Sequence, residues 1–109
     1  MTDPTGHYGV ILVTATSQQE AEKIAQTLIC SKLAACATLF PVQSIYTWQG
    51  DMHQDQEWQL FIKSDLDRFD ELEATIRQLH SYEVPEIIAL PIVAGSQPYL
   101  HWISQQVGQ

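Results

Sequence analysis

Two long strand patterns joined by one tight turn constrain this chain more than any other feature. From Ala34 to Trp48 the residues are mostly small, β-branched or aromatic, a strand composition. Gln49-Gly50-Asp51 is a turn signal, and a second strand pattern runs from Met52 to Ser64. Alternation places Trp58, Leu60 and Ile62 on one face of it and Glu57, Gln59, Phe61 and Lys63 on the other. The arms of this hairpin are longer than a small sheet requires, so they leave edges that need protection. Pro41 lies inside the first arm, where it removes a ladder donor and so marks a bulge or a sheet edge.

The flanking patterns complete a topology. Val10-Ile-Leu-Val13 reads as a central strand, and Ser17-x-x-Glu20 as a capping box opening a helix to about Lys32. Ala21, Ile24, Ala25, Leu28 and Ile29 form the apolar face of that helix. Acidic residues from Asp65 to Glu71 complement the start of a second helix, whose buried stripe is Phe69, Leu72, Ile76 and Leu79 and which His80 closes. Ile87–Ile92 reads as the last strand. Ser96 caps a final helix with Pro98 in its first turn; Leu100, Ile103 and Val107 make one side of it, and Tyr99 and Trp102 begin another. The order β-α-β-β-α-β plus a terminal helix predicts an α+β chain of the ferredoxin-like, split βαβ kind, with an antiparallel sheet and a long hairpin between its second and third strands. Two helices cover one sheet face. The other face has no obvious cover within the chain, which predicts a closed homo-oligomer.

At 109 residues the chain is expected to be a single domain, with residues 1–7 as a flexible tail. Its 13 acidic residues outnumber 5 scattered basic ones, so a nucleic-acid partner is not expected. No apolar run is long enough for a membrane span, and the N-terminus has neither the basic start nor the apolar stretch of a secretory signal. A cytoplasmic location, with Cys30 and Cys36 as thiols, is therefore expected.

The segment His80-Ser-Tyr-Glu-Val-Pro-Glu86 gathers an imidazole, a phenol and carboxylates between a helix and a strand. Pro85 fixes its own φ and biases Val84 towards an extended conformation. Side chains on such a stiff exit are well placed for binding.

The matching segments are Lys32-Leu-Ala-Ala-Cys-Ala37, Ser44-Ile-Tyr-Thr-Trp-Gln-Gly50, Glu57 through Lys63, His80 through Ile87, and Tyr99-Leu-His-Trp102. On these, in this order, the chain resembles the CutA (CutA1) divalent-ion tolerance family. The resemblance implies a ferredoxin-like subunit similar to the PII signalling proteins, assembled as a homotrimer. It further implies copper or another divalent cation as the ligand, and no enzymatic reaction. Val13 and Leu79 stand where some bacterial members carry a cysteine and the first of two histidines.

The candidate metal ligands are His80, Cys36 and Glu83. His80 could instead bond a nearby carbonyl, and Cys36 could be a buried strand residue. The candidate ligand-binding set is Tyr46, Trp48, Glu57, Lys63, His80, Tyr82, Glu83 and Trp102. Aromatic and charged groups in this mixture suit a small-effector pocket, the PII-like reading, and equally a subunit interface. No glycine-rich phosphate loop or nucleophile–base pattern stands out, so no catalytic residue and no organic cofactor is assigned.

Overall fold

A computed structural model describes residues 7–108. It contains strands β1 (Tyr8–Ala15), β2 (Cys36–Trp48), β3 (Asp51–Asp65) and β4 (Ile87–Pro91), and α-helices α1 (Gln18–Cys30), α2 (Phe69–Leu79) and α3 (Gln97–Gln106). The strands form one antiparallel sheet in the order β2-β3-β1-β4. This is the ferredoxin-like arrangement that the pattern predicts. Of the expected tail, only His7 lies within the described residues.

Pro41 sits on an edge strand in unbroken register, opposite Trp58, so of the two sequence options it marks an edge and not a bulge. Ile11, Val13, Leu60 and Ile62 point to one face and are sealed there by Ile24 and Leu28 of α1 and Leu72 and Ile76 of α2. The opposite face is not bare, as the sequence had suggested. Leu100 and Ile103 of α3 pack with Ala35, Tyr8 and Ile92. Alternation puts Tyr8 on the face of Val10 and Leu12, so α3 covers one end of that face. Phe61, Ile88 and Leu90 remain exposed beyond it.

α1 ends at Cys30, two residues before the expected end. Lys32 N–H donates to Ile29 O at 3.0 Å and Leu33 N–H to Leu28 O at 2.9 Å, a Schellman closure. The residue in the left-handed position is Lys32, at φ 60°, where glycine is usual. Lys32→Gly is therefore expected to stabilise the fold by about 1 kcal/mol, read by chemical denaturation. A loss would mean that the Lys32 stem, which lies against Gly108, contributes more than the backbone strain costs. Gly108 itself donates to Lys32 O at 2.7 Å and accepts from the Arg68 guanidinium, tying the chain end to α1.

Candidate functional site

The hairpin arms place one phenol, Tyr46, and two carboxylates, Asp55 and Glu57, near the segment that follows α2, which brings a second phenol, Tyr82. Register pairs Ser44 with Asp55 and Tyr46 with His53, so these four side chains share a face with Glu57. The Tyr46 hydroxyl donates to Asp55, and the Tyr46 ring stacks on His53 with centroids 5.5 Å apart. From the other side, the Tyr82 hydroxyl donates to Glu57 Oε2 at 2.9 Å. The hydrogen bond to Asp55 and the nearby acidic charge hold the Tyr46 phenol above its ordinary pKa. Burial, then the bond to and charge of Glu57, push Tyr82 far higher. Both phenols therefore stay protonated donors at neutral pH.

Between these elements lies a cleft of about 730 Å³. Tyr46 and Trp48 wall one side; Tyr82, Glu83 and Glu86 wall the other, with Glu57 and Thr14 also on its lining. Glu57 is only 4 % exposed, although it is a carboxylate. Tyr82→Phe removes the hydrogen bond to Glu57 and is expected to cost about 1–3 kcal/mol in denaturant titrations. A loss below about 0.5 kcal/mol would mean that cleft water replaces the phenol.

His80 holds this wall in place. Its ring is buried, with Nε2 at 2.6 Å from Thr14 O and Nδ1 accepting from Tyr82 N–H at 3.0 Å. Since a carbonyl only accepts, Nε2 carries the proton, which fixes the tautomer from the network. Both nitrogens are thus engaged within the chain. Glu20 secures the same turn: its carboxylate accepts from Thr16 N–H and from Ser81 N–H, each at 2.9 Å. The capping box is thereby half realised. Ser17 Oγ accepts from Glu20 N–H at 3.1 Å, but the Glu20 carboxylate reaches past the cap to the segment after α2.

Burial works to raise the Glu20 pKa, but the bonds from Thr16 and Ser81 outweigh it and the net direction is down. Its contribution is present above the ordinary carboxylate pKa and is lost as pH falls through the lowered folded value. Glu20→Gln is expected to flatten the acid limb of a stability–pH profile; an unchanged limb would rule the clasp out.

Of the eight candidate ligand-binding residues, Tyr46, Trp48, Glu57, Tyr82 and Glu83 line the cleft, and His80 braces it. Lys63 and Trp102 do not line it. Lys63 pairs with Cys36 at the far end of the hairpin, its Nζ 3.5 Å from Thr38 Oγ1, and Trp102 packs on Tyr99 of α3. The candidate metal ligands are separated as well: Cys36 lies at that far end beside the Tyr99 hydroxyl, whose pKa burial and this thiol raise, while Glu83 is on the cleft. Among the described residues, the His/Cys/Asp/Glu group with ligand atoms within 4.8 Å of one another is His7, Asp65 and Asp67, not His80, Cys36 and Glu83. Sequence reasoning missed Ser44 and Thr14 on the cleft; the hairpin register could have found Ser44, which lies opposite Asp55.

A family model described as CutA1 divalent ion tolerance protein matches residues 9–106. The divalent-cation tolerance protein CutA of Thermus thermophilus is 42 % identical over 100 residues, covering 91 % of this chain and 97 % of that protein. Among solved structures, the periplasmic divalent cation tolerance protein CutA of Archaeoglobus fulgidus superposes with a TM-score of 0.91 at 37 % identity, covering 93 % of this chain and 99 % of that one. CutA1 from Oryza sativa does so with a TM-score of 0.92 at 34 % identity, covering 98 % and 99 %. The Archaeoglobus protein is described as periplasmic, which corrects the cytoplasmic location expected from the sequence. That expectation rested on the lack of a long apolar run and of a secretory-signal pattern, and such an absence does not fix a compartment. Among the described residues no helix is long and apolar enough to cross a membrane.

Proposed function

The chain belongs to the CutA1 divalent ion tolerance family, and from that premise we propose that it is a non-enzymatic homotrimer that binds divalent cations, copper among them, in tolerance to metal ions. The observation that carries this reading is the acidic character of the cleft: its described lining residues include Glu57, Glu83 and Glu86 and no lysine, arginine or histidine. Such a surface attracts cations and repels anions. Glu83, exposed on the rim, is the accessible member of the candidate metal set there. Oxygen donors suit hard divalent ions; a Cu(II) site using His80 would require the ring to leave Thr14. Cys36 offers a softer, separate site for Cu(I). The exposed apolar residues Phe61, Ile88 and Leu90 on the half-covered sheet face support self-association.

Native mass spectrometry of metal-stripped protein, titrated with Cu(II), Mn(II) and, under reducing conditions, Cu(I), tests this. The expected result is a trimer that takes up ions stoichiometrically at low micromolar metal, with Cu(II) and Mn(II) uptake weakened by Glu83→Gln. A monomer, or a trimer that stays bare, overturns it.

A second reading is a PII-like module that binds a small effector. The cleft volume of about 730 Å³ favours it, since it lies in the range of small-molecule sites, and so do the Tyr46, Trp48 and Tyr82 rings on its walls.

A further inference from the structure

Glu57 is a buried carboxylate with one oxygen accounted for. Oε2 accepts from Tyr82, whereas Oε1 takes no hydrogen bond among the described residues. No fully buried polar side-chain atom among those residues lacks a partner, so Oε1 opens onto the cleft that Glu57 lines. A carboxylate this deep carries a desolvation cost that an opposite charge would offset. None of the described residues lining the cleft is lysine, arginine or histidine, so the described residues do not supply that charge there.

Two further observations separate a metal ion from a larger cation. The cleft carboxylates do not bring three ligand atoms within 4.8 Å of one another, so no cage for a single ion is preformed. The space is also far larger than one ion needs, and Tyr46, Trp48 and Tyr82 present rings to it. Aromatic faces beside separated carboxylates favour a cation with an apolar skeleton and several N–H donors.

We propose that the cleft binds a small organic cation bearing ammonium or guanidinium groups, with Glu57 Oε1, open to the cleft, as an acceptor, Glu83 and Glu86 on the rim, and the Tyr46, Trp48 and Tyr82 rings along the skeleton. This rests on the small-effector reading and names the charge class of that effector. It opposes a nucleotide or any other polyanion at this position, because no cation among the described residues lines the cleft to meet a phosphate.

Isothermal titration of the intact protein with agmatine and putrescine, against ATP, glutamate and glucose, tests the inference. Agmatine or putrescine is expected to bind saturably, with one molecule per chain. Glu57→Gln is expected to weaken it about tenfold, as loss of a charge-assisted hydrogen bond does. Glu22→Gln, which removes an exposed acid of α1 outside the cleft, is expected to leave it unchanged. If Glu57→Gln does not fold, Glu83→Gln on the exposed rim serves instead and is expected to weaken binding several-fold. Equal weakening by Glu22→Gln and the cleft variants would reduce the effect to diffuse acidity and overturn the proposal. Binding of ATP, glutamate or glucose but not the amines, lost in Tyr82→Phe, would overturn the charge class while leaving the effector reading standing. No binding by any probe would overturn both.

Discussion

His80→Ala is expected to cost about 3 kcal/mol in equilibrium denaturation at fixed protein concentration, combining a buried cavity with two stranded polar groups. The ring fills a buried position, reaches back 66 residues to Thr14 of β1 and also holds Tyr82 N–H. Without it, Thr14 O loses a donor, Tyr82 N–H loses an acceptor, and the phenol above Glu57 loses its support. His80→Gln can keep a donor toward Thr14 and should fall between wild type and alanine. If His80 were instead a free metal ligand, the metal-free alanine variant would match the wild type in stability, and the difference would emerge only on adding metal, by mass action. Equal metal-free stabilities would therefore remove the bracing role assigned to this residue.

Gly9→Ala is expected to destabilise by about 2–3 kcal/mol, an overpacking effect on a central strand. Gly9 lies in β1 between Ser64 of β3 and Pro91 of β4. A Cβ there would run into Leu66 Cδ2 and stand 2.7 Å from Leu66 Cγ and 2.9 Å from Leu90 O. The Leu66 contacts belong to a side chain that can shift, but the Leu90 contact is backbone in the neighbouring strand. Adding Leu66→Ala should thus recover only part of the stability, measured as the coupling in a double-mutant cycle. Full recovery would show that β4 yields freely, and that the glycine serves Leu66 alone.

These two positions mark where the sequence stopped being legible. Alternation in Trp58-x-Leu60-x-Ile62 and periodicity in Ala21, Ile24, Ala25 and Leu28 fix which faces are buried, because hydrophobic burial acts on every turn of a helix and every second strand residue. The element order followed from them. A strand glycine signals a close approach but not what approaches, so the partners of Gly9 were invisible. Lys32 carries no mark of a left-handed backbone, hence the overlong expected helix. Glu20 announces a capping box; that it bonds Ser81 as well depends on how α2 returns beside α1.

The candidate site was half legible for a related reason. Parity gives a face and not a position along it. Glu57 and Lys63 share a face, yet six residues of strand put them roughly 20 Å apart, too far for one small ligand. Tyr46 and Glu57 line one cleft because the turn at Gln49-Gly50 sets the hairpin register. Tyr82 and Glu83 join them because Pro85 and the closed end of α2 leave their segment little freedom. Cys36 and Trp102 belong to the opposite end, with α3, a helix whose packing face could be read but whose place on the sheet could not.

The central claim of the proposed function is that divalent cations are received at the cleft. Amide proton–nitrogen spectra of the intact protein, titrated with zinc as a diamagnetic divalent ion, test it residue by residue. Saturable shifts are expected in Ser44 to Trp48, in Ser81 to Val84 and in Glu86. Shifts confined to His7, Asp65 and Asp67, or to the surroundings of Cys36 and Tyr99, would contradict it.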